Sequence, residues 1–175
     1  MNDIIQTIME RRSIRRFNSK PVPKALLEDI AMAGTYAASG RNAQGTLIIA
    51  VTDKTWRDAI AEENRKIGGW GEGFDPFYGA PALLIVLADK SRPTAVYDGS
   101  LVMGDMMLAA HSLGLGSCWI HRAKEEFEGA VGQKLLRQLG IEGDYEGIGH
   151  CAVGYYDGES PAAPPRKDNR VLFVE

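Results

Sequence analysis

Ser100 to Ile120 reads SLVMGDMMLAAHSLGLGSCWI. Up to Leu113 the stretch is apolar nearly all round, which predicts a central helix covered on every side. Gly114 is a natural stop for that helix. Ser117 to Ile120, SCWI, then predicts a short strand. Upstream, Thr46 to Thr52 (TLIIAVT) and Ala82 to Asp89 (ALLIVLAD) predict two buried strands, and downstream His150 to Tyr155 predicts another. Helices and strands are mixed, so a sheet between helices is the expected layering.

The remaining segments fill in around that sheet. Ile4, Ile5 and Ile8 share one face of a helix over Asp3 to Arg12. Pro21 and Pro23 break the chain, and Pro23 opens a second helix that buries Leu26, Leu27 and Ile30. Asp53 caps a helix running to about Lys66, and Lys124 to Leu139 predicts an amphipathic helix closed by Gly140. Ile67 to Pro81, IGGWGEGFDPFYGAP, is a long loop or a small cap, with the cap taken as residues 64–81. Ser160 to Lys167 is Pro-rich and irregular. Val171 to Val174 has strand character but nothing local to pair with. Residues 156–175 therefore read as a C-terminal arm.

With 175 residues, the chain is expected to form one domain over 1–175. Its 45% hydrophobic and 25% charged residues are an ordinary globular mix. The longest clean apolar run, Ala82 to Ala88, is far short of the roughly twenty residues a membrane span needs. No signal peptide is visible at Met1-Asn2-Asp3, so the expected location is the cytoplasm. A net charge of −3 argues against a dedicated nucleic-acid binder. The two cysteines form neither a disulfide scaffold nor a zinc-ligand spacing.

The charge is uneven. Arg11, Arg12, Arg15, Arg16, Lys20 and Lys24 fall before Leu27 with no acid among them. Two readings fit: a local anion site, or a solvated helix end whose arginines meet the helix dipole. Gly147-Ile148-Gly149-His150-Cys151-Ala152 matches a relaxed dinucleotide fingerprint, but a strand rather than a helix follows it. Phosphate-loop, His-Glu-x-x-His and Gly-x-Ser-x-Gly patterns are absent. His111 is expected in the core and His150 in a strand, which leaves His121 as the histidine nearest a site. With an anion site, aromatics and no evident nucleophile–base pair, the chemistry is expected to reside in a bound cofactor.

Four segments in order resemble the FMN-dependent nitroreductase family, in its short single-domain branch. They are Arg11-Arg12-Ser13-Ile14-Arg15-Arg16-Phe17, Ala37 to Gln44 (AASGRNAQ), Leu108 to Ile120 (LAAHSLGLGSCWI) and Pro165-Arg166-Lys167. The resemblance implies an α+β fold with a central, mainly antiparallel sheet between helices. It also implies an intertwined homodimer, with the C-terminal extension reaching the partner and FMN bound at the interface. Arg11 and Ser13 would hold the FMN phosphate, with Arg12 beside them and Arg166 completing the clamp. Arg15 would lie near the flavin pyrimidine edge, where positive charge stabilises reduced flavin. Ser39, Asn42 and Gln44 would come from the other subunit, and the Cys118-Trp119-Ile120 backbone would run along the ring.

The implied activity is NAD(P)H oxidation with reduction of nitroaromatics, quinones or similar flat acceptors. Hydride would pass through flavin N5 in ping-pong fashion, with no side chain assigned as acid or base. The sequence departs from the family pattern at Gly40, where a second Ser is usual, at Gly45 for Pro, at Pro164 for Lys and at Gly104-Asp105 for Gln-Asn. Trp70, Phe74, Phe77 and Tyr78, with His121, are candidate pocket walls; the alternative is that the aromatics simply pack the loop onto the domain. A non-catalytic flavin or anion binder, a nucleic-acid binder using the basic block, and a dehalogenating or flavin-fragmenting enzyme of the same fold are the competing functions.

Overall fold

A computed structural model describes residues 2–175. Four strands form one antiparallel sheet: β1 (Thr46–Val51), β2 (Ala82–Asp89), β3 (Gly116–Ile120) and β4 (Tyr145–Gly154), in the order β1-β2-β4-β3. The helices are α1 (Asp3–Glu10), α2 (Lys24–Thr35), α3 (Lys54–Ile67), α4 (Ala95–Ser112), α5 (Ala123–Glu128) and α6 (Ala130–Gln138). The expected α+β architecture is thus present.

β2 organises both cores, because its unbroken apolar run lets each face bury a full set of side chains. Leu84 and Val86 meet Leu27, Ile30, Met103 and Met106 of α2 and α4. Leu83, Ile85 and Leu87 meet the opposite layer, with Ile60 of α3, Phe127 of α5 and Leu135 of α6. Each such fully buried side chain contributes about 1.5–3 kcal/mol. β4 carries a bulge: Val86 pairs with Gly149 and Leu87 with Gly147, so Ile148 is the extra residue. Ile148 thereby joins the α2/α4 core while His150 turns toward Phe77 on the other face.

Several expectations need correction. The helix expected over Lys124–Leu139 is two helices, broken where Gly129 adopts ψ 177. α6 then turns back so closely that a Cβ on Gly132 would lie 2.5 Å from the Glu126 carbonyl oxygen and the Phe127 Cα. α4 begins at Ala95, five residues earlier than expected, and is not covered on every side: Val96, Tyr97 and Leu101 are 48%, 72% and 50% exposed. β4 begins at Tyr145 rather than His150. The expected start of the cap at residue 64 falls inside α3, whose last turn runs to Ile67. His111 is half-buried rather than a full core residue. In keeping with the lack of a local partner, Val171–Val174 pairs with no strand within the chain and is exposed.

Candidate functional site

Arg11 ends α1, and the chain then runs extended beside β3. Ser13 and Ser117 form a parallel bridge, with the Ile14 N–H donating to the Ser117 carbonyl at 3.0 Å. Ile14 is buried where Gly116 leaves room; a Cβ on Gly116 would lie 2.8 Å from Ile14 Cγ1. The bridge brings the basic segment alongside Cys118-Trp119-Ile120.

The arginines of the basic block are placed differently from one another. Arg12 serves the helix end: its Nη1 donates to the carbonyls of Met9 at 2.7 Å and Arg11 at 2.6 Å. Arg11 Nη1 and Arg12 Nε are buried with no acceptor among the described residues, and Ser117 Oγ is also buried without a partner. A buried, unsatisfied guanidinium N–H is costly, so this corner calls for an anionic acceptor from outside the chain. Arg15 and Arg16 are exposed. Burial pushes the Cys118 thiol up despite the opposing pull of Arg15, Ser13 and Arg11, and pushes Cys151 up to about 12. Neither is a thiolate nucleophile at neutral pH.

On β3, Cys118 and Ile120 point into the core shared with α3, α5 and α6. Trp119 remains 36% exposed, with its indole over bare backbone: a Cβ on Gly149 would lie 2.1 Å from Nε1. His121 is exposed, and its carbonyl accepts from Asn64 Nδ2 at 2.9 Å. Arg122, in the left-handed region at φ 79, stacks its guanidinium 4.4 Å from the Trp70 ring centre. No motif in the sequence singles out Arg122.

Ser39, Asn42 and Gln44 meet in one tight loop. The Gln44 N–H donates to Ser39 Oγ at 3.0 Å, and Gln44 Nε2 donates to Asn42 Oδ1 at 3.1 Å. Ser39 and Gln44 also line a cleft of about 690 Å³ beside Met32, Ile48 and Val102. This loop precedes β1, whereas the Ser13–Ser117 bridge lies at the start of β3. β1 and β3 are opposite edges and run antiparallel, so the two groups occupy diagonal corners, roughly 25 Å apart at ordinary strand spacings. One chain does not bring them together. Arg166 is exposed on the arm, and its Nε and Nη2 donate to its neighbour, the Pro164 carbonyl, at 3.2 and 2.8 Å.

The aromatic segment is tied down rather than loose. Arg57 pairs with Asp75 and donates from Nε to the Ala80 carbonyl at 3.1 Å. Asp75 also accepts the N–H groups of Phe77 at 3.0 Å and Gly79 at 2.8 Å. Trp70 and Phe74 lie 4.8 Å apart, and Phe74 and Tyr78 6.3 Å apart, edge to face. Phe77 is separate from this row. It is fully buried with its ring 5.1 Å from that of His150, so it packs the loop onto the core and lines no open pocket. His150, also fully buried, contacts Glu126 at 2.6 Å from Nε2.

Among the described residues, no group of three or more His, Cys, Asp or Glu is placed to hold a metal. No described helix is long and apolar enough to cross a membrane.

A family model described as the nitroreductase family matches residues 8–155. An NADPH-flavin oxidoreductase of Vibrio harveyi is 32% identical across all of this chain and 74% of its own length. An FMN reductase [NAD(P)H] of Bacillus subtilis is 28% identical over 67% of this chain, which spans only 53% of that relative. The chain likewise spans 66% of a relative from Methanothermobacter thermautotrophicus. A Bacteroides fragilis nitroreductase solved with bound FMN superposes with a TM-score of 0.91 over 100% of both chains, at 28% identity.

Proposed function

The chain belongs to the nitroreductase family, and from that premise we propose that it is an FMN-dependent NAD(P)H oxidoreductase acting on nitroaromatics, quinones or similar flat acceptors. The observation that carries this reading is the unsatisfied corner at the start of β3, where Arg11 Nη1 and Ser117 Oγ are buried without partners next to Ser13. A monophosphate supplies the acceptors these donors lack, and a guanidinium fork matches its oxygens in charge and shape. A bound FMN would supply the hydride- and electron-transfer chemistry there, while the chain's own residues hold and orient it.

The side chains bind and tune rather than react. Arg11 and Ser13 hold the phosphate, while the exposed Arg15 is free to face the pyrimidine edge. Backbone groups of Cys118, Trp119 and Ile120 line the ring. Trp70, Phe74 and Tyr78 form an aromatic wall for flat acceptors beside His121. The two high-pKa thiols fit a mechanism without a cysteine nucleophile.

The site is completed by a second copy. The Ser39–Gln44 loop and the Arg11–Ser13 corner lie diagonally apart in one chain, so a single flavin meets both only across an interface. The exposed apolar residues support this: Ile4, Ile5 and Ile8 on α1, Met32 on α2 with Tyr36 just past its end, and Tyr97 and Leu101 on α4. Leu172 and Phe173 on the arm are also bare, and β1 has a free edge that takes a further strand. Light scattering with an absorption spectrum, followed by anaerobic titration with NADH and NADPH, tests the whole reading. A yellow dimer bleached by at least one nicotinamide is expected. A colourless monomer that takes up no FMN defeats the proposal, and a yellow protein that neither nicotinamide bleaches is a flavin carrier only.

A further inference from the structure

We propose that Asp98 is the positioning residue of the flavin-facing loop, and that Gly40 and Thr94 form a matched pair around it. This rests on the reading above, in which Ser39, Asn42 and Gln44 meet the flavin.

Asp98 stands in the first turn of α4 and is 5% exposed. One carboxylate oxygen accepts the Gly40 N–H at 3.1 Å, and the other accepts the Thr94 hydroxyl at 2.9 Å. No Lys, Arg or His among the described residues forms an ion pair with it. A buried carboxylate without a countercharge is a poor stability device, and a neutral side chain would cost less desolvation. What the carboxylate provides is a directional hold on one backbone amide of the loop.

That loop needs holding. Arg41, Asn42 and Gln44 adopt φ of 55, 54 and 49, the left-handed region that residues with a Cβ avoid. Such a backbone persists only where its surroundings over-determine it. Asp98 fixes its front at Gly40, and the Asp89 N–H fixes its rear by donating to the Gly45 carbonyl at 2.8 Å. The departure from the family pattern at Gly40 follows from the same contact. A Cβ there would meet Thr94 Oγ1 at 2.4 Å and Cγ2 at 3.0 Å. Thr94 cannot swing aside without giving up its bond to Asp98, so a side chain at position 40 would break the hold.

The test uses the full chain carrying Asp98→Ala, Asp98→Asn, Gly40→Ala, or Gly40→Ala with Thr94→Ala. Three quantities are read: the FMN dissociation constant by flavin fluorescence, amide hydrogen exchange of residues 39–45 in flavin-free protein, and the melting temperature. Asp98→Ala is expected to speed exchange in the loop and weaken FMN binding by about tenfold or more, the scale of a lost charged hydrogen bond. Asp98→Asn should restore most of both, because its amide oxygen still accepts from Gly40 and its NH₂ donates to Thr94 Oγ1. Gly40→Ala should weaken FMN binding, and adding Thr94→Ala should recover part of it, because the clash with Oγ1 and Cγ2 is removed while the Thr94 bond to Asp98 is lost and the Gly40 N–H bond to Asp98 is kept. That pair carries the test if Asp98→Ala does not fold.

Exchange and affinity unchanged in Asp98→Ala overturn the proposal, as does an Asp98→Asn variant as damaged as Asp98→Ala. Faster exchange with unchanged FMN affinity also overturns it, because the loop then does not meet the flavin. A native chain that binds no FMN removes the underlying reading, and the exchange rates still report separately whether Asp98 holds the loop.

Discussion

Ser13 and Ser117, 104 positions apart in sequence, face each other across a parallel bridge that brings Arg11 to the start of β3 with one guanidinium nitrogen buried and unpaired. Arg11→Ala removes that nitrogen and the cost of burying it, so the fold should tolerate the change. FMN affinity should fall about 10- to 100-fold, as expected when a charged hydrogen bond of about 1.5–3 kcal/mol is lost. Equilibrium dialysis beside a thermal melt separates the two effects. An unchanged dissociation constant would remove Arg11 from the phosphate clamp.

Trp119 depends on the bareness of Gly149. A Cβ at position 149 would stand only 2.1 Å from the indole Nε1, so Gly149→Ala must push the ring off β4. Overpacking of this kind costs about 1–3 kcal/mol. The expected result is a lower melting temperature with a red-shifted Trp119 emission, read in a background where Trp56 and Trp70 are Phe. Unshifted emission would mean that the indole does not rest on Gly149.

His150 and Glu126 form a fully buried contact between β4 and α5, under the ring of Phe77. Removing one partner strands the other's polar atoms in the core, which costs about 3–5 kcal/mol. Glu126→Ala should therefore lower the melting temperature by roughly 6–20 °C on the scale for a chain of this length. Glu126→Leu with His150→Phe should recover part of that loss, since an apolar replacement of the whole pair is often neutral. A Glu126→Ala melt within about 2 °C of the native one, equivalent to about half a kcal/mol, would show the pair to be unimportant.

Local chemistry was readable and tertiary contact was not. ALLIVLAD at 82–89 matched β2 because a strand buried on both faces is a continuous apolar run. Asp53 was readable as a cap because its carboxylate meets the Trp56 N–H, three residues on. The break at Gly129 was hidden, since the amphipathic pattern continues across it and its cause is the close approach of Gly132 to Phe127. The start of β4 was hidden by Gly147 and Gly149, which weaken strand propensity yet admit Ala123 and Trp119. Within the site, the basic segment and the Ser39–Gln44 loop were legible as motifs. Their diagonal separation is a product of strand order and has no local signature. Asp98 lay upstream of the helix expected from Ser100 and was not legible; the local cue is Thr94, four residues earlier and able to share its carboxylate.

Acid should loosen the aromatic loop through Glu62. Arg65 donates from Nη1 to the Trp70 carbonyl at 2.6 Å, while its Nε and Nη2 each reach the Glu62 carboxylate at 2.8 Å. Arg65 pulls the Glu62 carboxyl from 4.5 down to about 2. A carboxyl lowered in the folded state stabilises fully above its ordinary value, and that contribution is lost as the pH falls through the lowered one. In the folded chain the Glu62 carboxyl keeps its charge until the pH nears about 2, and there Arg65 loses its anchor and its grip on Trp70 slackens. Trp70 emission, read with Trp56 and Trp119 replaced by Phe, should shift toward that of a solvated indole as the pH falls toward about 2. Glu62→Gln should already show the shifted emission at neutral pH and a much flatter acid response. An identical acid response in Glu62→Gln would assign the transition to a different group and would leave the Glu62–Arg65 pair without a part in holding the loop.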